Sequence, residues 1–122
     1  MSRSLFFLGS LLGGLGVALG AFAAHALRQR LSPDMLEVFE TSVRYQLVHA
    51  LALLAVALAS AHWSHPALKA AGWCFAAGIA LFSGSLYLLA LSGVRWLGAV
   101  TPLGGVAFLA GWALLAWAAL KS

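Results

Sequence analysis

Four long apolar runs, separated by short stretches that hold most of the charge, constrain this chain more than any other feature. A helix rises ~1.5 Å per residue and the hydrocarbon core of a bilayer is ~30 Å thick, so about 20 mostly apolar residues cross it once. The runs lie at about 5–27, 45–61, 67–91 and 98–120. Helices satisfy their own backbone N–H and C=O groups, which lipid demands of a spanning segment. The expected fold is all-α: a polytopic membrane protein in which residues 1–122 form a single integral membrane domain, a bundle of four transmembrane helices. Composition agrees, with 63% hydrophobic residues and only 8% charged, where a soluble domain carries about 25% charged residues. The first run has a signal-like outline, with Arg3 ahead of it and small residues at Ala21, Ala23 and Ala24. Its apolar stretch is longer than a signal core of about 7–15 residues, so it is expected to be retained as a helix.

The most polar stretch lies between the first two runs. Ser32-Pro33 reads as a helix start, a serine N-cap followed by proline at the first helical position. Asp34 and Glu37 then sit near the positive end of the helix dipole. Leu36, Phe39 and Val43 recur at helical spacing, so an amphipathic segment at about 33–44 is expected before helix two. Joined straight to the second run, it would give a helix about 43 Å long. Such a helix either projects from the membrane or bends to lie along its surface. Thr101-Pro102 repeats the cap-and-proline pattern, so the fourth helix starts at Gly98 or at Pro102. The second choice leaves Gly98 to Val100 as non-helical backbone that protein must cover.

The net charge of +4 does not point to nucleic acid. Arg3, Arg28, Arg30, Arg44, Lys69, Arg95 and Lys121 are scattered beside apolar runs and form no stripe that could follow a phosphate backbone. With four crossings, Arg3, Lys69 and Lys121 share one side and the other four basic residues share the opposite side. The positive-inside rule therefore leans only slightly towards cytoplasmic first and third loops.

Lipid gives helices no hydrophobic drive to associate, so close backbone approach and hydrogen bonds must supply it. Gly16, Gly20 and Ala24 stand four apart on the first helix, and Gly72, Ala76, Ala80 and Gly84 on the third. Each set is expected to be a packing face. A second copy of the chain, or another membrane protein, is the rival occupant of one stripe. Membrane lipids are the other expected partner.

Polar groups at membrane depth are candidates for function. His25 closes the first run, while Arg44, Tyr45, Gln46 and His49 open the second. Ser83, Ser85 and Tyr87 lie in the third run and Thr101 at the start of the fourth. In a helical hairpin His25, Gln46 and His49 can reach similar depth. The plain reading is an interhelical hydrogen-bond network that sets register. The sharper one is a binding site for a small solute, a lipid headgroup or a proton. Haem between His25 and His49 is a third reading, but it needs a wide slot where the small stripes ask for close contact. No cofactor and no metal site is expected: His62 and His65 lack further ligands nearby, and Cys74 is a lone buried thiol. No catalytic residue is nominated, because Asp34, Glu37 and Glu40 are the only acids and no nucleophile or phosphate-loop signature occurs. The expected role is a non-enzymatic accessory or interaction module. Binding or transport through His25, Gln46 and His49 is the alternative.

The blocks Gly20-Ala21-Phe22-Ala23-Ala24-His25-Ala26-Leu27, Tyr45-Gln46-Leu47-Val48-His49-Ala50, Leu81-Phe82-Ser83-Gly84-Ser85-Leu86-Tyr87, Thr101-Pro102-Leu103-Gly104-Gly105 and Gly111-Trp112 resemble the hallmark blocks of the family called domain of unknown function 423. The resemblance spans nearly the whole chain. It implies four membrane helices in a bacterial inner membrane and no particular activity.

Overall fold

The computed structural model describes residues 2–121. Four helices long and apolar enough to cross a membrane follow one another: Arg3–Leu27, Pro33–Ala59, Pro66–Ser92 and Arg95–Lys121. They run alternately up and down. Gly9 of the first helix faces Ala50 of the second, and Gly20 faces Val43. Ser83 of the third helix meets Ser42 of the second, while Thr101 of the fourth meets Ser85 of the third. The chain is thus a multi-pass membrane protein with many large apolar side chains exposed on its helices. Leu51, Leu109 and Leu120 are 66%, 71% and 77% exposed, as side chains turned to lipid should be.

Local chemistry places the ends. The Ser32 hydroxyl accepts from the Met35 backbone N–H at 3.2 Å, with Pro33 opening the helix behind it. His65 caps the third helix in the same way, its Nδ1 accepting from the Ala67 N–H at 3.0 Å ahead of Pro66. Gly93 closes that helix in the left-handed conformation, φ +73°, where a side chain would be strained. A 3-10 turn, Arg95–Ala99, leads into the last helix, Thr101–Lys121.

The second helix is unbroken from Pro33 to Ala59. The amphipathic segment at 33–44 is therefore its first three turns and not a separate interfacial helix. At about 40 Å the whole helix exceeds a ~30 Å hydrocarbon core. What holds the overhang is packing: Phe39 and Val43 close on Ala23, Leu27 and Ala90. This helix is also the hub of the bundle. Half of its most apolar window is buried (50%), against 17% for the first helix.

Two spans carry a single π-helical turn, at Ala23–Leu27 and Ile79–Ser83. A π-turn inserts one residue and re-aims whatever follows. The consequence for the small stripes is direct. On the first helix Gly16 meets the Leu47 side chain at 2.6 Å and Gly20 meets Val43 at 3.3 Å, distances measured to the position a Cβ would take. Ala24, inside the π-turn, is exposed. Gly9, outside the expected stripe, makes the backbone approach instead, 2.9 Å from the Ala50 carbonyl oxygen. On the third helix Gly72 packs on Leu5, at 2.5 Å by the same measure, and Ala76 is half-buried. Ala80 is exposed and Gly84 faces open space, so the stripe does not continue as one face through the π-turn. Gly78 takes over, its open side filled by the Phe108 ring.

Candidate functional site

The second helix presents Ser42, Gln46 and His49 on one buried face, spaced four and three apart. Together they reach all three neighbouring helices. Ser42 and Ser83 exchange bonds, each hydroxyl donating to the other's backbone carbonyl, at 2.7 and 2.9 Å. Gln46 spans two helices: its Nε2 donates to the Leu12 carbonyl at 2.8 Å, and its Oε1 accepts from the Tyr87 hydroxyl at 2.6 Å. Tyr87 is held by its ring as well, 4.9 Å from that of Phe39. His49 joins the fourth helix. Its Nε2 accepts from the Trp112 indole N–H at 3.0 Å, and its Nδ1 lies 2.8 Å from the Tyr45 carbonyl oxygen. A carbonyl oxygen only accepts and an indole N–H only donates, so these partners assign the neutral tautomer with hydrogen on Nδ1. A proton on Nε2 would set donor against donor.

Aromatic rings surround that imidazole. Phe108 stacks on it with centroids 3.6 Å apart and planes 9° from parallel. Phe75 and Trp112 approach at 5.6 and 5.7 Å, and Tyr45 lies at 6.2 Å. Further along the third and fourth helices, Ser85 and Thr101 share a 2.6 Å hydrogen bond. Among the described residues, no fully buried side-chain nitrogen or oxygen lacks a partner.

The family profile described as "Protein of unknown function (DUF423)" matches residues 19–105. The chain is 46% identical over 120 residues to the UPF0382 membrane protein YwdK of Bacillus subtilis, covering 98% of each protein. It is 41% identical over 127 residues to the UPF0382 inner membrane protein YgdD of Escherichia coli K12, covering 98% of this chain and 92% of that protein. This chain belongs to the DUF423 family. No solved structure matches it.

The sequence blocks that mark the DUF423 resemblance thus supply much of the helix-to-helix bonding. Gln46, His49, Ser83, Tyr87, Ser85 and Thr101 all take part. Three of the sequence candidates stand apart. Tyr45 contributes its carbonyl and ring but is 40% exposed. Arg44 is exposed and lines a surface groove. His25 is exposed, in the π-turn whose Ala23 and Leu27 pack beside Phe39 and Val43. Its level is that of Phe39, ten residues before His49, or about 15 Å along the second helix. His25, Gln46 and His49 therefore do not converge, and the two histidines do not form the facing pair a haem would use.

Sequence reasoning missed Ser42, Phe75, Phe108 and Trp112 as members of this cluster. Ser42 carried a usable signal, since it lies one turn before Gln46 in an otherwise apolar face. The rings did not, because an aromatic residue in a membrane helix reads equally well as lipid-facing. The Trp112 bond yields a first prediction. His49→Phe keeps a flat ring on Phe108 and removes the acceptor for the indole. A loss of about 1 kcal/mol in unfolding free energy is expected, with a shift in tryptophan emission that Trp112→Phe abolishes. Unchanged stability in micelle denaturation would show that the indole bond is idle.

Proposed function

We propose that the protein is a non-enzymatic membrane module of the bacterial inner membrane: a rigid bundle whose inner polar cluster locks the helices and whose exterior does the work. The observation that carries this reading is the complete engagement of Ser42, Gln46, His49 and Tyr87 in bonds between or within helices. A substrate site keeps polar atoms without partners inside the protein, and each of these side chains already has a partner. The location follows from the kinship with a relative named as an inner membrane protein. The partners expected are lipids together with a second copy or another membrane protein.

An apolar groove along Gly13, Gly14, Val17 and Leu51 runs down the outside of the first two helices and supports that reading. Native mass spectrometry of the full-length protein, released gently from its own membranes, tests it. A homo-oligomer or a defined complex is expected. A strictly monomeric, partnerless protein would count against the module. The rival reading, carriage of a proton or small solute, is tested separately in proteoliposomes holding a pH-sensitive dye. Proton flux under an imposed gradient is expected to equal that of empty vesicles. Flux that His49→Phe removes would establish the carrier instead.

A further inference from the structure

Besides the locked interior, the molecule carries a groove of about 610 Å³ between the first and second helices. Apolar residues such as Gly20, Ala24 and Leu47 line it together with the charged Arg28, Arg44 and Glu40. The position of Arg44 is the unusual part. Gly20 packs against Val43, seven residues before the first helix ends at Leu27. Arg44 therefore leaves the second helix about 10 Å below that end. Its side chain is exposed. From that level an arginine side chain can extend along the helix towards the interface, where Arg28 and Glu40 line the same groove.

We infer that this groove binds an anionic glycerophospholipid with a hydroxyl-bearing headgroup, of the phosphatidylglycerol type. The phosphate sits between Arg28 and Arg44, each offering a planar fork of donors that matches phosphate oxygens. Glu40, an acceptor when ionised, takes a hydrogen bond from the headgroup hydroxyls. One acyl chain lies over Gly20 and Ala24, where the absence of bulky side chains leaves room. Two cations against one carboxylate leave the groove with a single net positive charge, which favours an anionic lipid over a zwitterionic one. Choline offers Glu40 no donor at all. This site is separate from the inner cluster and goes beyond the module reading. Oligomeric state can fail as a prediction while lipid retention holds, and the reverse.

The test uses the full-length protein stripped of lipid in mild detergent, then mixed with equal amounts of phosphatidylglycerol, phosphatidylethanolamine and phosphatidylcholine. Adducts are counted by native mass spectrometry. One tightly held phosphatidylglycerol is expected, retained at least tenfold over phosphatidylcholine. Arg28→Gln and Arg44→Gln should each reduce that preference about tenfold, and Arg28→Lys or Arg44→Lys should give an intermediate loss. Arg95→Gln removes an exposed charge outside the groove and should change nothing. Unfolding midpoints of the lipid-free variants, expected to match the parent, separate lost binding from lost folding. Equal losses with Arg95→Gln would reduce the effect to diffuse surface charge and overturn the site. Preferential retention of phosphatidylethanolamine would overturn the headgroup assignment. Binding of inorganic phosphate with no lipid preference would overturn the acyl-chain path.

Discussion

Gly104→Ala should be among the most damaging single-methyl changes in this protein, while the same change at Gly105 should be harmless. A Cβ at Gly104 would fall on the backbone N and Cα of Phe82, whereas at Gly105 nothing lies within 4 Å. Backbone cannot rotate aside as a side-chain tip can, so the fourth helix must move away from the third. That shift also strains the Ser85–Thr101 bond and the seat of Phe108 in Gly78, because both sit on the same interface. Overpacking of this kind costs about 3 kcal/mol. Gly105→Ala should instead gain roughly 0.5 kcal/mol, from the smaller backbone entropy lost by alanine in a helix. Reversible unfolding in mixed micelles, followed by tryptophan emission, measures both. Equal tolerance at the two positions would mean that the third and fourth helices are not packed at this distance.

Gln46→Leu has the next largest expected effect. The side chain ties the second helix to the first through the Leu12 carbonyl and to the third through Tyr87. Interhelical hydrogen bonds in membranes contribute about 0.6 kcal/mol on average, with a maximum near 1.7. Two short bonds at 2.8 and 2.6 Å on a residue only 3% exposed belong near the upper end. A loss of about 2 kcal/mol is expected for Gln46→Leu, and about 1 kcal/mol for Tyr87→Phe. The two are in direct contact, so the double variant should cost less than the sum, with a coupling of about 1 kcal/mol. Strict additivity would show that Gln46 and Tyr87 do not share the bond. Retention of stability by Gln46→Leu would show that shape alone holds the helices, and that the polar side chain is kept for another purpose.

Two kinds of contact set the geometry of the bundle. Glycine at Gly104 sets how near two helices come, and Gln46 sets where along their axes they stop. Apolar side chains slide past one another in lipid at little cost, but a hydrogen-bonded pair fixes one position. The reciprocal Ser42–Ser83 pair repeats that device on the third helix, and the His49–Trp112 bond extends it to the fourth.

Much of this was readable along the chain. Charge spacing against the thickness of a bilayer determined the number of crossings and the all-helical class, because only helices of that length satisfy their backbone in lipid. Ser32-Pro33 marked a helix start without reference to anything distant, since a cap is a local bond. The polar residues of the helix interiors were also visible, because each is conspicuous in an apolar run. Their partners were not. Two π-turns, which no periodicity announces, rotated Ala80, Gly84 and Ala24 away from the faces their spacing of four implied. His25 was turned outward and set about 15 Å from His49 along the second helix, although a hairpin drawn from sequence alone brings the two to similar depth. Arg44 and Arg28 were brought to one groove by the offset between the first two helices, an offset set by Gly9 and Gly20 meeting Ala50 and Val43. Four membrane crossings, and the polar groups carried on them, follow from the order of residues along the chain. Tertiary structure alone decided which of them are sealed into bonds and which face outward, because helix rotation and axial offset arise from contacts between segments that are far apart in the chain.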